Sequence, residues 1–318
     1  MNKVYIRLIK ILISVILIFF LISLLDFSKL FDNFKKINLY LLFIPAIIFF
    51  LGIWISSIRW GNILSFYNIK LNIGQLSKLY LIGSFYNNFL PSVIGGDGYK
   101  YLSLRKRYPQ NKKEILASIF LERGIGFISL FLVNFLITFF FIKYILDNSF
   151  IIALEIGIIL SFILLLIIFI FRKRLMHKIK PKKSKGLIYK IYLFIDTIQE
   201  ISKNKKTLFY SLLLSLWFII LNSLSLLVLF LSINLHINLL TIIFVVSITS
   251  IYSFIPISFN NIGFTETIYI ILFSTFNIDT NSTFLALFLG RFISIICSAT
   301  GGILDSYEKL RSLKLKDI

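Results

Sequence analysis

Cysteine, histidine and proline are nearly absent. The 318 residues contain one cysteine, two histidines (His177 and His236) and five prolines. With Cys297 alone, no disulfide can form within the chain and no thiolate metal site can be built. His177 and His236 fall in separate loops far apart in sequence, too few to build a metal centre. No cofactor is expected. Acidic residues are also scarce, 14 against 34 lysines and arginines. No nucleotide-binding motif is present, so ATP is not expected as a driver.

What the chain has in excess is apolar surface. Hydrophobic residues make up 58%, 35 of them Phe, and the mean hydropathy is +0.90. A soluble domain cannot hide so much, and a spanning helix needs about 20 apolar residues. The formal net charge of +20 would suit nucleic acid. Its placement argues otherwise, because the cations gather between apolar runs, where they mark cytoplasmic loops. Anionic lipid headgroups are the expected partners of these loops, and no nucleic acid is expected.

Apolar runs lie near 8–25, 39–64, 76–94, 115–142, 149–171, 207–232, 240–257, 263–276 and 283–304. The first follows a basic N-terminus without a small-residue cleavage signature, so it reads as an uncleaved span. Basic segments 99–114, 172–206 and the C-terminus are assigned to the cytoplasm, with the N-terminus; 233–239 and 276–282 lack lysine and arginine and are assigned outside. Tracing the chain then forces 71–98 to start and finish inside, and 240–276 to start and finish outside. The expected fold is an all-α polytopic membrane protein of about six full spans and two broken hairpins. Residues 187–201 have the spacing of an interfacial amphipathic helix, and FSKLFDNFKKI is a shorter version.

The two interrupted stretches correspond. SFYNNFLPSVIGGDGYK begins at Ser84 and SIYSFIPISFNNIGFTE at Ser250. Each opens Ser-x-Tyr, reaches a proline (Pro91, Pro256) and delivers a carboxylate (Asp97, Glu266). Each leads to a span containing an arginine, Arg123 or Arg291, 26 and 25 positions on. The pattern reads as an inverted-topology repeat, about 39–142 and 207–304, which places a substrate site near the bilayer midplane. Turn roles fall to Pro91, Gly95, Gly96 and Gly98 in the first unit, and to Pro256, Asn260, Asn261 and Gly263 in the second.

A charge inside a span costs roughly 2.5–3.5 kcal/mol on insertion scales. Glu122, Arg123, Glu266 and Arg291 are therefore candidate site residues, and arginine suits phosphate because its fork binds two oxygens. Blander readings stay open. Asp97 and Lys100 could be loop charges, Glu266 a helix cap and Arg123 a snorkelling end residue. Arg59, in WISSIRWGN, reads as an interfacial anchor beside Trp60. Glu155 has no obvious partner.

NNFLPSVIGGDGYK, LERGIGF, PISFNNIGFTE and GRFISIICSATGGILD together resemble the lysylphosphatidylglycerol synthase transmembrane family of flippase-like proteins. Asn88, Leu90, Pro91, Gly95, Gly96, Asp97 and Lys100 match its first motif, and Glu122 with Arg123 its Glu-Arg pair. Pro256, Ser258, Gly263 and Glu266 match the later motif, where Asn260 and Asn261 replace a glycine pair. The resemblance implies a lipid translocase. Some relatives add an aminoacyl transferase or glycosyltransferase domain; neither is expected here, so a separate synthase or glycosyltransferase is a possible partner and lysyl transfer is not expected. In this scheme Arg123 and Arg291 contact phosphate, and Asp97 and Glu266 balance them or recognise a cationic group on the lipid. Lys100 and Glu122 complete the polar set. Asn87, Asn88, Asn260 and Asn261 offer neutral hydrogen bonds. An intramembrane lipid-modifying enzyme and a non-transporting docking partner are the rival readings.

Overall fold

The computed structural model describes residues 3–89, 95–179, 204–255 and 257–314. Among them are eleven α-helices, two 3₁₀ turns and no strand. The helices are α1 (Lys3–Ser23), α2 (Phe27–Lys35), α3 (Phe43–Phe66), α4 (Ile73–Phe89), α5 (Gly95–Arg107) and α6 (Lys112–Leu146). They continue with α7 (Ser149–Ile179), α8 (Lys205–Ser232), α9 (Leu239–Ser253), α10 (Phe264–Thr275) and α11 (Thr280–Lys314). Pro91, Pro256 and the amphipathic stretch 187–201 lie outside the described residues.

Asparagine punctuates the chain at both kinds of helix end. Asn38, Asn204 and Asn238 each accept a backbone N–H with the side chain at a helical start. That satisfies one of the donors a first turn leaves open. Asn68, Asn234 and Asn277 follow helices with φ of 58–59°, the left-handed position usually given to glycine. Both jobs suit a short side chain that can bond its own backbone.

Four helical segments are long and apolar enough to span: Leu39–Phe66, Lys112–Leu146, Lys205–Ser232 and Thr280–Leu310. A fifth counts if the pair Ile11–Ser23 and Phe27–Lys35, bent by 82°, is one span. Among the described residues these give four or five of the six spans expected from the sequence. α7 is apolar over Ser149–Leu164 and continues as helix to Ile179, and at about 1.5 Å per residue its 31 residues are long enough to cross a core of about 30 Å. The segment 99–114 is not a loop either. Arg105, Lys106 and Arg107 close the last turn of α5, where cations complement the helix dipole. Lys112 and Lys113 open α6.

Two buried apolar clusters hold the helices. One centres on Trp60, Ile63, Leu64, Leu76 and Ile115 from α3, α4 and α6. The other centres on Phe230, Phe244, Phe273 and Ala286 from α8, α9, α10 and α11. α3 packs on α8. The Asn38 N–H donates to the Ser232 carbonyl at 2.8 Å, and Asn62 Nδ2 to the Ser211 hydroxyl at 3.0 Å. One numbering climbs while the other falls, so the two run antiparallel. α4 packs on α11, and α9 packs on α6. The first of these contacts is very close: a Cβ on Gly301 would lie 2.2 Å from the Leu81 carbonyl oxygen.

Candidate functional site

The first broken hairpin closes by backbone contact. A Cβ on Gly96 would meet the Gly83 carbonyl oxygen at 2.3 Å, so α5 can lie against α4 only with glycine there. Asn87 Oδ1 accepts the Gly96 N–H at 2.7 Å, satisfying a donor at the start of α5. Gly95, Gly96 and Gly98 therefore stand in the first turn of α5, not in a turn of unusual backbone angle. The helix can begin there because Asn87 supplies the acceptor and no side chain blocks Gly83. Asn88 Nδ2 donates to the Ser298 hydroxyl at 2.8 Å and ties the hairpin to α11.

Asp97 follows in the same first turn, where a negative charge suits the helix dipole. It pairs with Lys100 Nζ at 3.0 Å and with Arg123 Nε. Lys100 is buried and reaches Glu122 Oε2 at 3.3 Å. Its ammonium also lies 4.2 Å from the Tyr80 ring centre and 4.9 Å from that of Trp60. Glu122 Oε1 accepts from Arg59 Nη2 at 2.7 Å and from the Tyr80 hydroxyl. Arg59 Nη1 donates to the Ser215 hydroxyl on α8 at 2.9 Å. One charged chain thus runs Arg123–Asp97–Lys100–Glu122–Arg59 and touches α3, α4, α5, α6 and α8.

Three of the blander readings change with this geometry. Asp97 and Lys100 are not surface loop charges. Arg59 is not an interfacial anchor: its side chain is 12% exposed and committed to Glu122. Arg123 does not simply reach for the surface, since Asp97 holds it.

The second hairpin is built differently at its turn. Asn260 and Asn261 take left-handed angles, φ 49° and 56°, and Gly263 follows at φ 83°. Asn261 is buried, and its Nδ2 donates to the Ser253 carbonyl, so it serves the turn. Glu266 does two things at once. Its Oε2 accepts the Gly263 N–H at 2.8 Å, capping α10, while Oε1 accepts from Arg291 Nη2. The Phe259 N–H donates to the Ser14 hydroxyl of α1 at 2.7 Å, closing the outer side of the turn.

Both hairpins face one cavity of about 810 Å³. Arg59, Lys100, Arg123 and Arg291 line it against Asp97, Glu122 and Glu266. Asn87, Asn88 and Asn260 also reach it; Asn261, Gly95, Gly98 and Gly263 are not among its lining residues. The side chains of Arg123 and Arg291 are 35% and 33% exposed, whereas their partners Asp97 and Glu266 are 12% and 15% exposed. Each guanidinium is thus more open than the carboxylate holding it. Fork-shaped donors in that position can meet a phosphate or carboxylate from the cavity.

Sequence reasoning did not assign Arg59, Tyr80 or Ser215 to the site. The signal was present in α8, where Ser211, Ser215 and Ser223 are buried at helical spacing within an apolar run. Arg59 likewise follows Ser56 and Ser57, also buried. Small hydroxyl residues inside spans mark faces that meet other polar groups.

The family described as the lysylphosphatidylglycerol synthase TM region matches residues 7–302. A UPF0104 membrane protein of Methanocaldococcus jannaschii is 26% identical over 229 residues, covering 72% of this chain and 96% of that one.

Proposed function

The chain belongs to the lysylphosphatidylglycerol synthase TM region family, and from that premise we propose that it is a lipid translocase. It moves a phosphate-bearing lipid headgroup, of a phospholipid or a polyprenyl phosphate, through the cavity while the acyl chains stay in the bilayer. The observation carrying this reading is the single cavity into which both hairpins turn an arginine–carboxylate pair. Its volume falls within the roughly 300–1,000 Å³ of small-molecule sites.

The translocase works as two inverted repeats, α3–α6 and α8–α11. Three observations favour this. α3 and α8 run antiparallel, α4 packs on α11 as α9 packs on α6, and each hairpin pairs its carboxylate with the arginine of the long helix after it. Inverted repeats let one half rock against the other around a fixed site. The protein sits in the cytoplasmic membrane with both termini inside, as the distribution of cations suggests. It acts by transport and not by chemistry, because each cavity carboxylate is held by a cation instead of being poised as an acid or base. A separate synthase or glycosyltransferase would supply its substrate.

The test compares wild type and Arg291→Ala, purified gently, by mass spectrometry of the lipids that travel with them. One phosphate-bearing lipid should be enriched in the wild type and lost from the variant. Identical bulk lipids on both would make Arg291 a structural residue and count against the cavity as the lipid site.

A further inference from the structure

Glu155 belongs to none of the charge pairs above. It lies on α7, 7% exposed, and is not among the cavity-lining residues. The sequence offered it no partner; the structure gives it two, both neutral. Asn134 Nδ2 donates to Oε2 at 2.9 Å, and the Thr138 hydroxyl donates to Oε1 at 3.3 Å. Ser247 on α9 donates in turn to Asn134 Oδ1 at 2.9 Å. The cluster therefore joins α6, α7 and α9.

Among the described residues, α6 and α9 pack on α7. From α6 come Asn134 and Thr138. From α9 comes one titratable neighbour, Tyr252, whose hydroxyl donates to the Leu154 carbonyl at 2.8 Å. Among the described residues no lysine, arginine or histidine forms an ion pair with Glu155, whereas Asp97, Glu122 and Glu266 each have a cation.

An ionised carboxylate held in an apolar interior by neutral donors alone costs several kcal/mol. A bound proton removes that cost. A sodium ion would need several oxygens around it, and Asn134 turns its amide nitrogen towards Glu155 where such an ion would sit. A proton needs only one carboxylate oxygen.

We infer that Glu155 is a proton-binding site, protonated while α6, α7 and α9 pack together and deprotonated when they part. On release, the O–H bond of the carboxyl breaks and the proton passes to water entering between the helices. The site touches the cavity through α9. Val246, Ser250 and Ser253 of that helix line the cavity, with Phe254 at its C-terminal cap, while Ser247 between them holds Asn134. Parting the cluster moves the same helix that forms the cavity wall. Resting on the translocase reading, this site would couple a proton gradient to headgroup movement.

The test uses the full chain in vesicles of phosphatidylcholine and phosphatidylglycerol, with two readouts. Infrared difference spectra through pH steps should show the C=O stretch of a protonated carboxylic acid in the wild type at neutral pH. It should shift in D₂O and be missing in Glu155→Gln. Absence of the band from the wild type overturns the proton site, and so does a band lost on adding sodium at constant pH. The second readout is movement of a fluorescent phosphatidylglycerol under an imposed pH gradient. The wild type should respond to the gradient, and Glu155→Gln should move lipid at one rate with or without it. An equal response in both proteins overturns the coupling. If neither moves lipid while the infrared band is present, phosphatidylglycerol is not the headgroup moved and the proton site stands.

Discussion

Replacing Glu122 with glutamine takes one charge from a place where two cations depend on it. Arg59 would keep Ser215, and Lys100 would keep Asp97 and the Tyr80 ring. Neither would keep a full counter-charge of its own, because Asp97 is shared with Arg123. Glu122 is 4% exposed, so water cannot easily replace what is lost. Removing one member of a buried ion pair costs about 3–5 kcal/mol, and that is the expected loss for Glu122→Gln. Glu266→Gln is the internal comparison. Its amide oxygen can still accept the Gly263 N–H, and Arg291 is one-third exposed, so only a screened pair is lost, about 1 kcal/mol or less. Unfolding in mixed micelles of rising denaturing-detergent fraction, followed by tryptophan fluorescence, gives both values. A second change, Arg59→Gln on the Glu122→Gln background, should recover part of the loss by removing the stranded charge. The reasoning is refuted if Glu122→Gln costs no more than Glu266→Gln, or if the double variant is less stable than the single.

Gly96→Ala should destabilise by about 1–3 kcal/mol, the usual range for overpacking, because the new methyl meets backbone oxygen and not a yielding side chain. The same unfolding assay measures it, and Gly98→Ala, which faces open space, should be nearly neutral. Gly263→Ala places a Cβ 2.7 Å from Leu17 Cβ at a φ of 83°. It should cost about 1–2 kcal/mol in backbone strain and speed amide exchange in residues 11–23, where α1 is pushed away.

The hairpins were legible because their grammar is local. A carboxylate and an arginine 26 or 25 positions apart recur in both units, and Asp97–Arg123 and Glu266–Arg291 are ion pairs in the structure, whereas Gly95, Gly96 and Gly98 stand in a helix and not in the turn expected of them. Arg59 was not legible. It lies 63 positions from Glu122, and nothing local distinguishes a buried arginine from an interfacial one beside a tryptophan. Only the meeting of α3 and α6 decides it. The extra length of α5 was hidden for a related reason. Arg105, Lys106 and Arg107 read as loop charges, yet cations also suit a helix C-terminus. Asparagine was the under-used signal, since it marks helix starts and left-handed turns where Ser, Asp or Gly would normally be sought.

The bond between Ser14 and Phe259 has a consequence for biogenesis. Its partners are 245 residues apart, and α2 meets α11 across similar spans through Asn33–Ser282 and the Asp26 N–H to Asn281. At about 5–20 residues per second, the nascent N-terminal helix waits roughly 12–50 s in the bilayer before the turn it covers has been synthesised. During that interval the Ser14 hydroxyl lacks the Phe259 N–H. α1 is thus among the last helices to find its place, and a ribosome halted before the second hairpin would leave α1 and α2 without these bonds.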